Sequence, residues 1–76
     1  MPKFKFMDVR PILARGLDPF SKIRVTVDAL KSGEGLSVAA PFLPSPLIEL
    51  LRAEGFEARV ERRPGSGWVT HFWRDD

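Results

Sequence analysis

The sequence predicts a two-layer α/β sandwich: a four-stranded mixed sheet in the order 1-2-4-3, with both helices on one face. Three observations carry this expectation. Apolar and polar residues alternate through residues 3–9, 35–40, 56–63 and 68–74, the spacing of strands whose two faces differ. Two proline-marked starts, Asp18-Pro19 and Ser45-Pro46, each precede apolar residues at helical spacing. The resulting order β-α-β-α-β-β contains two crossovers, and right-handed crossovers progressing in one direction put both helices on the same side of the sheet.

Each element has its own justification. Lys3-Phe4-Lys5-Phe6 leads into Met7-Asp8-Val9 as the first strand. Inward lysines are costly, so Phe4 and Phe6 are expected to face the core, with a register shift allowed near Met7. Arg10-Pro11 ends the strand, because proline cannot donate to a ladder and keeps its predecessor extended. Residues 12–17 read as a loop. The first helix, about residues 19–31, has Asp18 as N-cap and Pro19 at its first position, with Phe20, Ile23, Val27 and Leu30 as its buried stripe and Gly33 as its end. The second strand, Gly35 to Ala40, places Leu36, Val38 and Ala40 on one face and Ser37 and Ala39 on the other. Pro41 to Pro46 is a stiff connection. It ends with Ser45 as N-cap and Pro46 opening a second helix that runs to about Glu54, buries Leu47, Leu50 and Leu51, and stops at Gly55. Phe56, Ala58 and Val60 alternate with Glu57, Arg59 and Glu61 in a half-buried third strand. Pro64-Gly65-Ser66-Gly67 is a hairpin turn. Trp68 to Arg74, the most apolar strand, takes the interior lane antiparallel to the others, which leaves lysines and arginines on both sheet edges. Asp75 and Asp76 read as a polar tail.

Seventy-six residues make a single domain, 1–76, with one core. With no cysteine there is no disulfide, thiolate metal site or cysteine nucleophile, and His71 is the only histidine. Twelve basic and ten acidic side chains leave +2, with the signs interspersed except at Arg59, Arg62 and Arg63. No apolar run approaches the roughly 18 residues of a membrane span, and Met1 to Phe6 alternates where a charged-then-apolar leader would not. The expectation is a cytoplasmic, non-enzymatic protein with no membrane association, cofactor or metal. His71 beside tail aspartates is poor ligand spacing, and neither a nucleophile motif nor a phosphate-binding glycine pattern occurs.

Two surfaces are candidates. Arg10, Arg15, Asp18, Pro19, Ser21, Phe42 and Ser45 fall at the C-terminal ends of the two parallel strands, where both helix N-termini point. Two positive helix ends and two arginines suit a small anion or an acidic peptide. Alternatively, Asp18 and Ser45 are only caps and the arginines are solvated. The second surface is the sheet face away from the helices, with Arg59, Val69, His71 and Trp73 beside Ser37, Ala39, Glu57 and Glu61. It is either a patch for a protein partner or a weak homodimer, or a surface covered by arginine and glutamate stems. Single-stranded nucleic acid is a further reading of this face: Trp73 and His71 would stack bases while Arg59, Arg62, Arg63 and Lys5 contact phosphates, with Glu57 and Glu61 against it.

Met7-Asp8-Val9-Arg10, Leu17-Asp18-Pro19, Leu30-Lys31-Ser32-Gly33-Glu34-Gly35-Leu36 and Glu54-Gly55-Phe56-Glu57, in that order and spacing, resemble the TusA/SirA sulfur-carrier family. The likeness is closer still to its cysteine-less bacterial branch, domain of unknown function 2249. The resemblance covers nearly the whole chain and implies the same β-α-β-α-β-β sandwich. In the sulfur carriers a Cys-Pro dipeptide at the start of the first helix bears the persulfide. Asp18-Pro19 stands in that place here, so sulfur transfer by this chain does not carry over. What remains is an interaction domain with a sulfur-carrier-like fold that binds a protein partner or a small anionic ligand. Single-stranded nucleic-acid binding and an accessory role in sulfur transfer or redox metabolism are the alternatives.

Overall fold

The computed structural model describes residues 3–65 and 67–74. Its elements are β1 (Lys3–Asp8), α1 (Arg10–Ala14), α2 (Phe20–Asp28), β2 (Glu34–Ala40), α3 (Ser45–Ala53), β3 (Glu57–Arg63) and β4 (Gly67–Trp73). The sheet order is β1-β2-β4-β3, with β1 parallel to β2 and β4 antiparallel to both its neighbours. This is the expected order.

Leu36, Val38 and Ala40 of β2 and Phe72 of β4 meet Ile23 and Val27 of α2 and Leu51 of α3 in one core, which Met7, Val9 and Phe56 complete. Alternate residues of a strand share a face, so α2 and α3 lie on the same side of the sheet. Arg24 joins them. Its guanidinium donates to both Glu54 carboxylate oxygens at 2.7 and 2.8 Å and to Asp28 at 2.7 Å. Those bonds hold the Glu54 and Asp28 carboxyls below their ordinary range.

In β1 the facing is opposite to the expectation. Lys5 pairs with Leu36 and Met7 with Val38, while Phe4 pairs with Gly35 and Phe6 with Ser37. Alternation runs unbroken through Met7, and the phenylalanines lie on the open face, Phe4 39% and Phe6 62% exposed. The lysines are tolerable on the helix side because β1 is an edge strand, where their stems can reach water. Lys5 Nζ lies 3.9 Å from Glu34. Gly35 makes room for Phe4, since a Cβ there would lie 2.6 Å from the phenyl ring.

Residues 12–17 are not simply a loop. Pro11 sits in the first turn of α1, where its missing N–H has no partner to lose. The Leu13 N–H bonds the Val9 carbonyl at 3.0 Å, and the Leu13 side chain packs on the core. The helix limits also differ. α2 ends at Asp28, and Gly33, with φ 82°, shapes the turn into β2, in which the Glu34 N–H bonds the Lys31 carbonyl at 2.9 Å. Ser45 is not a cap. It is the first residue of α3, and its N–H bonds the Leu43 carbonyl at 2.9 Å. The side of α3 that packs inward is Leu47, Ile48 and Leu51, with Leu50 exposed. Asp18 does cap: its Oδ1 accepts the Phe20 N–H at 2.9 Å, and Pro19 is already in helical conformation. The expectations for Met1 and Pro2, for Ser66 in the hairpin and for the Asp75-Asp76 tail lie outside the described residues.

Thr70 faces the helix layer between Val38 and Val60, fully buried, and its hydroxyl has no hydrogen-bond partner among the described residues. An unmet buried hydroxyl costs about 1–3 kcal/mol, and valine has nearly the same shape. Thr70→Val is therefore expected to raise the urea midpoint by an amount equivalent to about 1 kcal/mol or more. A lowered midpoint would show that the hydroxyl is satisfied after all.

Candidate functional site

Beyond the C-terminal ends of β1 and β2 lies a pocket of about 280 Å³. Val9, Ile23, Val38 and Ala40 are buried lining residues, joined by Leu13 and Leu47. Asp18, Pro19, Phe20, Phe42, Pro44 and Pro46 complete it, with Phe20 43% and Phe42 53% exposed. The N-terminal turns of α2 and α3 frame the opening, as right-handed crossovers onto one face require. Phe20, placed in the buried stripe by its spacing, is instead half out of the core beside this cavity.

The structure brings together three of the seven rim residues, Asp18, Pro19 and Phe42. Ser21, Ser45 and Arg15 are exposed and do not line the pocket. Arg10 is turned away from it. Its Nε donates to Asp8 Oδ1 at 2.9 Å, one terminal nitrogen to Asp8 Oδ2 at 2.8 Å, and the other to the Gly65 carbonyl at 3.2 Å. That pairing holds the Asp8 carboxyl below its ordinary range.

Some of the donors at the two helix starts are not available to an anion. Pro19 and Pro46 have no N–H, that of Phe20 is taken by Asp18, and that of Ser45 is taken by Leu43. Asp18 is the one charged residue of the lining among the described residues, and its charge is negative.

On the open face, strand pairing sets three rows: Phe4, Gly35, Trp73 and Glu57; Phe6, Ser37, His71 and Arg59; Asp8, Ala39, Val69 and Glu61. Val69 is only 1% exposed and cannot serve as a contact residue. Phe4 and Phe6, which the strand-one reading put in the core, take its place in the accessible patch. The Phe4 ring stands edge-on to His71 at 5.4 Å and to Trp73 at 6.1 Å between centroids. Arg59 is exposed opposite His71. The signal that could have placed Phe4 was Gly35, a gap in the adjoining strand.

A hydrogen-bond chain crosses this face. His71 Nε2 lies 2.9 Å from Glu61 Oε1, and His71 Nδ1 lies 2.7 Å from Ser37 Oγ. With Nε2–H donating to the carboxylate, Nδ1 accepts the Ser37 hydroxyl proton. Arg63 donates to the same Glu61 oxygen at 3.0 Å. The order serine, histidine, carboxylate has the connectivity of an activated nucleophile. Ser37 is only 5% exposed within a central strand, however, and it lines none of the described pockets. The chain links β2, β4 and β3. Among the described residues no group of three or more histidine, aspartate or glutamate side chains is placed to hold a metal ion, and no helix is long and apolar enough to cross a membrane.

A family model described as an uncharacterized conserved protein, DUF2249, matches residues 7–74. No curated protein and no solved structure matches the chain.

The Arg63 and His71 bonds lower the Glu61 carboxyl from 4.5 to about 2. A carboxyl lowered on folding stabilises fully above its unfolded value, and that contribution fades as pH falls toward the folded value. The melting-temperature gap between wild type and Glu61→Gln is thus expected to be widest above pH 4.5 and to close as pH falls toward about 2. A gap constant through acid titration would mean that the carboxylate contributes nothing through its charge.

Proposed function

The chain belongs to the DUF2249 family of uncharacterized conserved proteins, and from that premise we propose that it is a non-enzymatic cytoplasmic interaction domain. Its contact is an apolar side chain of a protein partner, seated in the pocket between the helix N-termini. The observation that carries this reading is the continuity of the cavity with exposed apolar residues. Phe20 and Phe42 line it, and Leu17 and Leu43, 57% and 41% exposed, adjoin Asp18 and Phe42 in the chain. Single exposed apolar residues are ordinary, but a cluster around a preformed cavity marks an interaction surface. At about 280 Å³ the cavity falls just under the roughly 300 Å³ at which small-molecule sites begin, which favours one anchoring side chain over a large cofactor.

The sulfur-carrier relationship is part of the same proposal. Its support is the strand order and the place of Asp18-Pro19 at the pocket, where a sulfur carrier holds its reactive dipeptide. With a carboxylate there, the rim can meet a partner without carrying sulfur. An accessory role in sulfur transfer or redox metabolism follows from that relationship.

One observation favours a second reading. Phe4 and Phe6 join His71 and Trp73 on the open face, and the acids Asp8 and Glu61 are already paired with Arg10 and Arg63. Such a face can stack single-stranded bases.

The two surfaces lie on different parts of the molecule, so substitutions separate them. Phe42→Asp is expected to abolish copurification of host proteins with a tagged copy, while Phe6→Asp leaves it intact. Both sites are exposed, so neither change should unfold the domain. The reverse pattern transfers the interface to the sheet, and no captured protein in any form defeats the docking proposal. For the second reading, binding of a single-stranded oligouridine should weaken about sevenfold from 50 to 200 mM salt if two phosphates are contacted. Flat salt dependence removes it.

A further inference from the structure

We propose that the partner segment seated in this pocket is basic: an apolar anchor beside a lysine or arginine whose charge is answered by Asp18. This rests on the pocket reading above and names the chemistry of its occupant. The lining is apolar apart from that one carboxylate. Oδ1 of Asp18 is engaged with the Phe20 N–H, whereas Oδ2 accepts no hydrogen bond among the described residues. No described cation forms an ion pair with Asp18. Arg10 is held by Asp8 and Gly65, Arg24 by Asp28 and Glu54, and neither Arg15 nor Lys22, close by in the chain, comes within pairing distance.

The helix starts argue in the same direction. A helix N-terminus recruits an anion through its free N–H groups. At this opening two of those positions are proline, and the Phe20 N–H is spent on Asp18. The chain's own carboxylate stands where a ligand anion would have to go. An incoming carboxylate or phosphate would meet that charge. An incoming ammonium or guanidinium meets an acceptor oxygen that has no other claim on it, and its apolar neighbour fills the cavity.

The test uses three blocked tetrapeptides, acetyl-Gly-Leu-Xaa-Gly-amide with Xaa lysine, glutamine or glutamate. Their binding is followed through the methyl resonances of Val9, Ile23, Val38 and Leu47. The expected order of affinity is lysine, glutamine, glutamate, with lysine about two- to fivefold tighter than glutamine, as an exposed ion pair gives. That preference should vanish in Asp18→Asn, which keeps the capping acceptor and hence the fold, and should shrink with added salt. Equal binding of all three peptides, or glutamate preferred, overturns the basic-partner inference and leaves the pocket reading standing. No methyl shift with any peptide at millimolar concentration overturns both.

Discussion

Phe72 and Leu36 face each other across the β2–β4 pair, and neither exposes any surface to water. Burying those two side chains requires a layer over one face of the two central strands, and α2 and α3 provide it through Ile23, Val27 and Leu51. Once two right-handed crossovers lie on one face, both helix N-termini must point past the C-terminal ends of β1 and β2. The position of the pocket is therefore a consequence of how the core is closed. The ends of the helices are treated differently. Arg24 bridges α2 to Glu54 just beyond α3, whereas the opposite ends meet prolines, the Asp18 cap and the cavity wall.

The two margins of the sheet are managed by charge and by aromatic stacking on cations. Lys5 reaches Glu34 along β1. On the helix side of β3, Arg62 lies over the Trp68 ring at 5.5 Å, and Arg74 lies over Phe56 at 4.2 Å. Several basic side chains that looked available for phosphates thus cover apolar surface or answer a carboxylate, and a late arginine cluster in the sequence does not become a basic groove in space.

Strand order, helix side and the central-strand residues of the open face were legible because they depend on periodicity in the central strands, where both faces are constrained. β1 was misread because an edge strand relaxes the rule that lysine faces water and phenylalanine faces the core. Only the register against Gly35 decides that case. Pro11 was read as a stop, although the same ring suits the first turn of a helix. Ser45-Pro46 looked like Asp18-Pro19, but in α3 the proline-rich backbone sets the entry without a side-chain bond. For the rim, three of the seven residues named from the sequence line the pocket and four do not. The proline positions were plain in the sequence, whereas the turn of Arg10 toward Asp8 and Gly65 needed the structure. The Ser37–His71–Glu61 chain was implicit in the shared face and needed the register to appear.

That chain runs across the strands, at right angles to their length, through β2, β4 and β3, and Arg63 extends it to the end of β3. Backbone ladders already bind each neighbouring pair, but β3 is a margin and would be the natural place for the sheet to unzip. A transverse rivet of this kind couples the hairpin to the second strand through side chains as well as backbone. Fraying of this outer margin must therefore break side-chain bonds to the central strands as well as the backbone ladder.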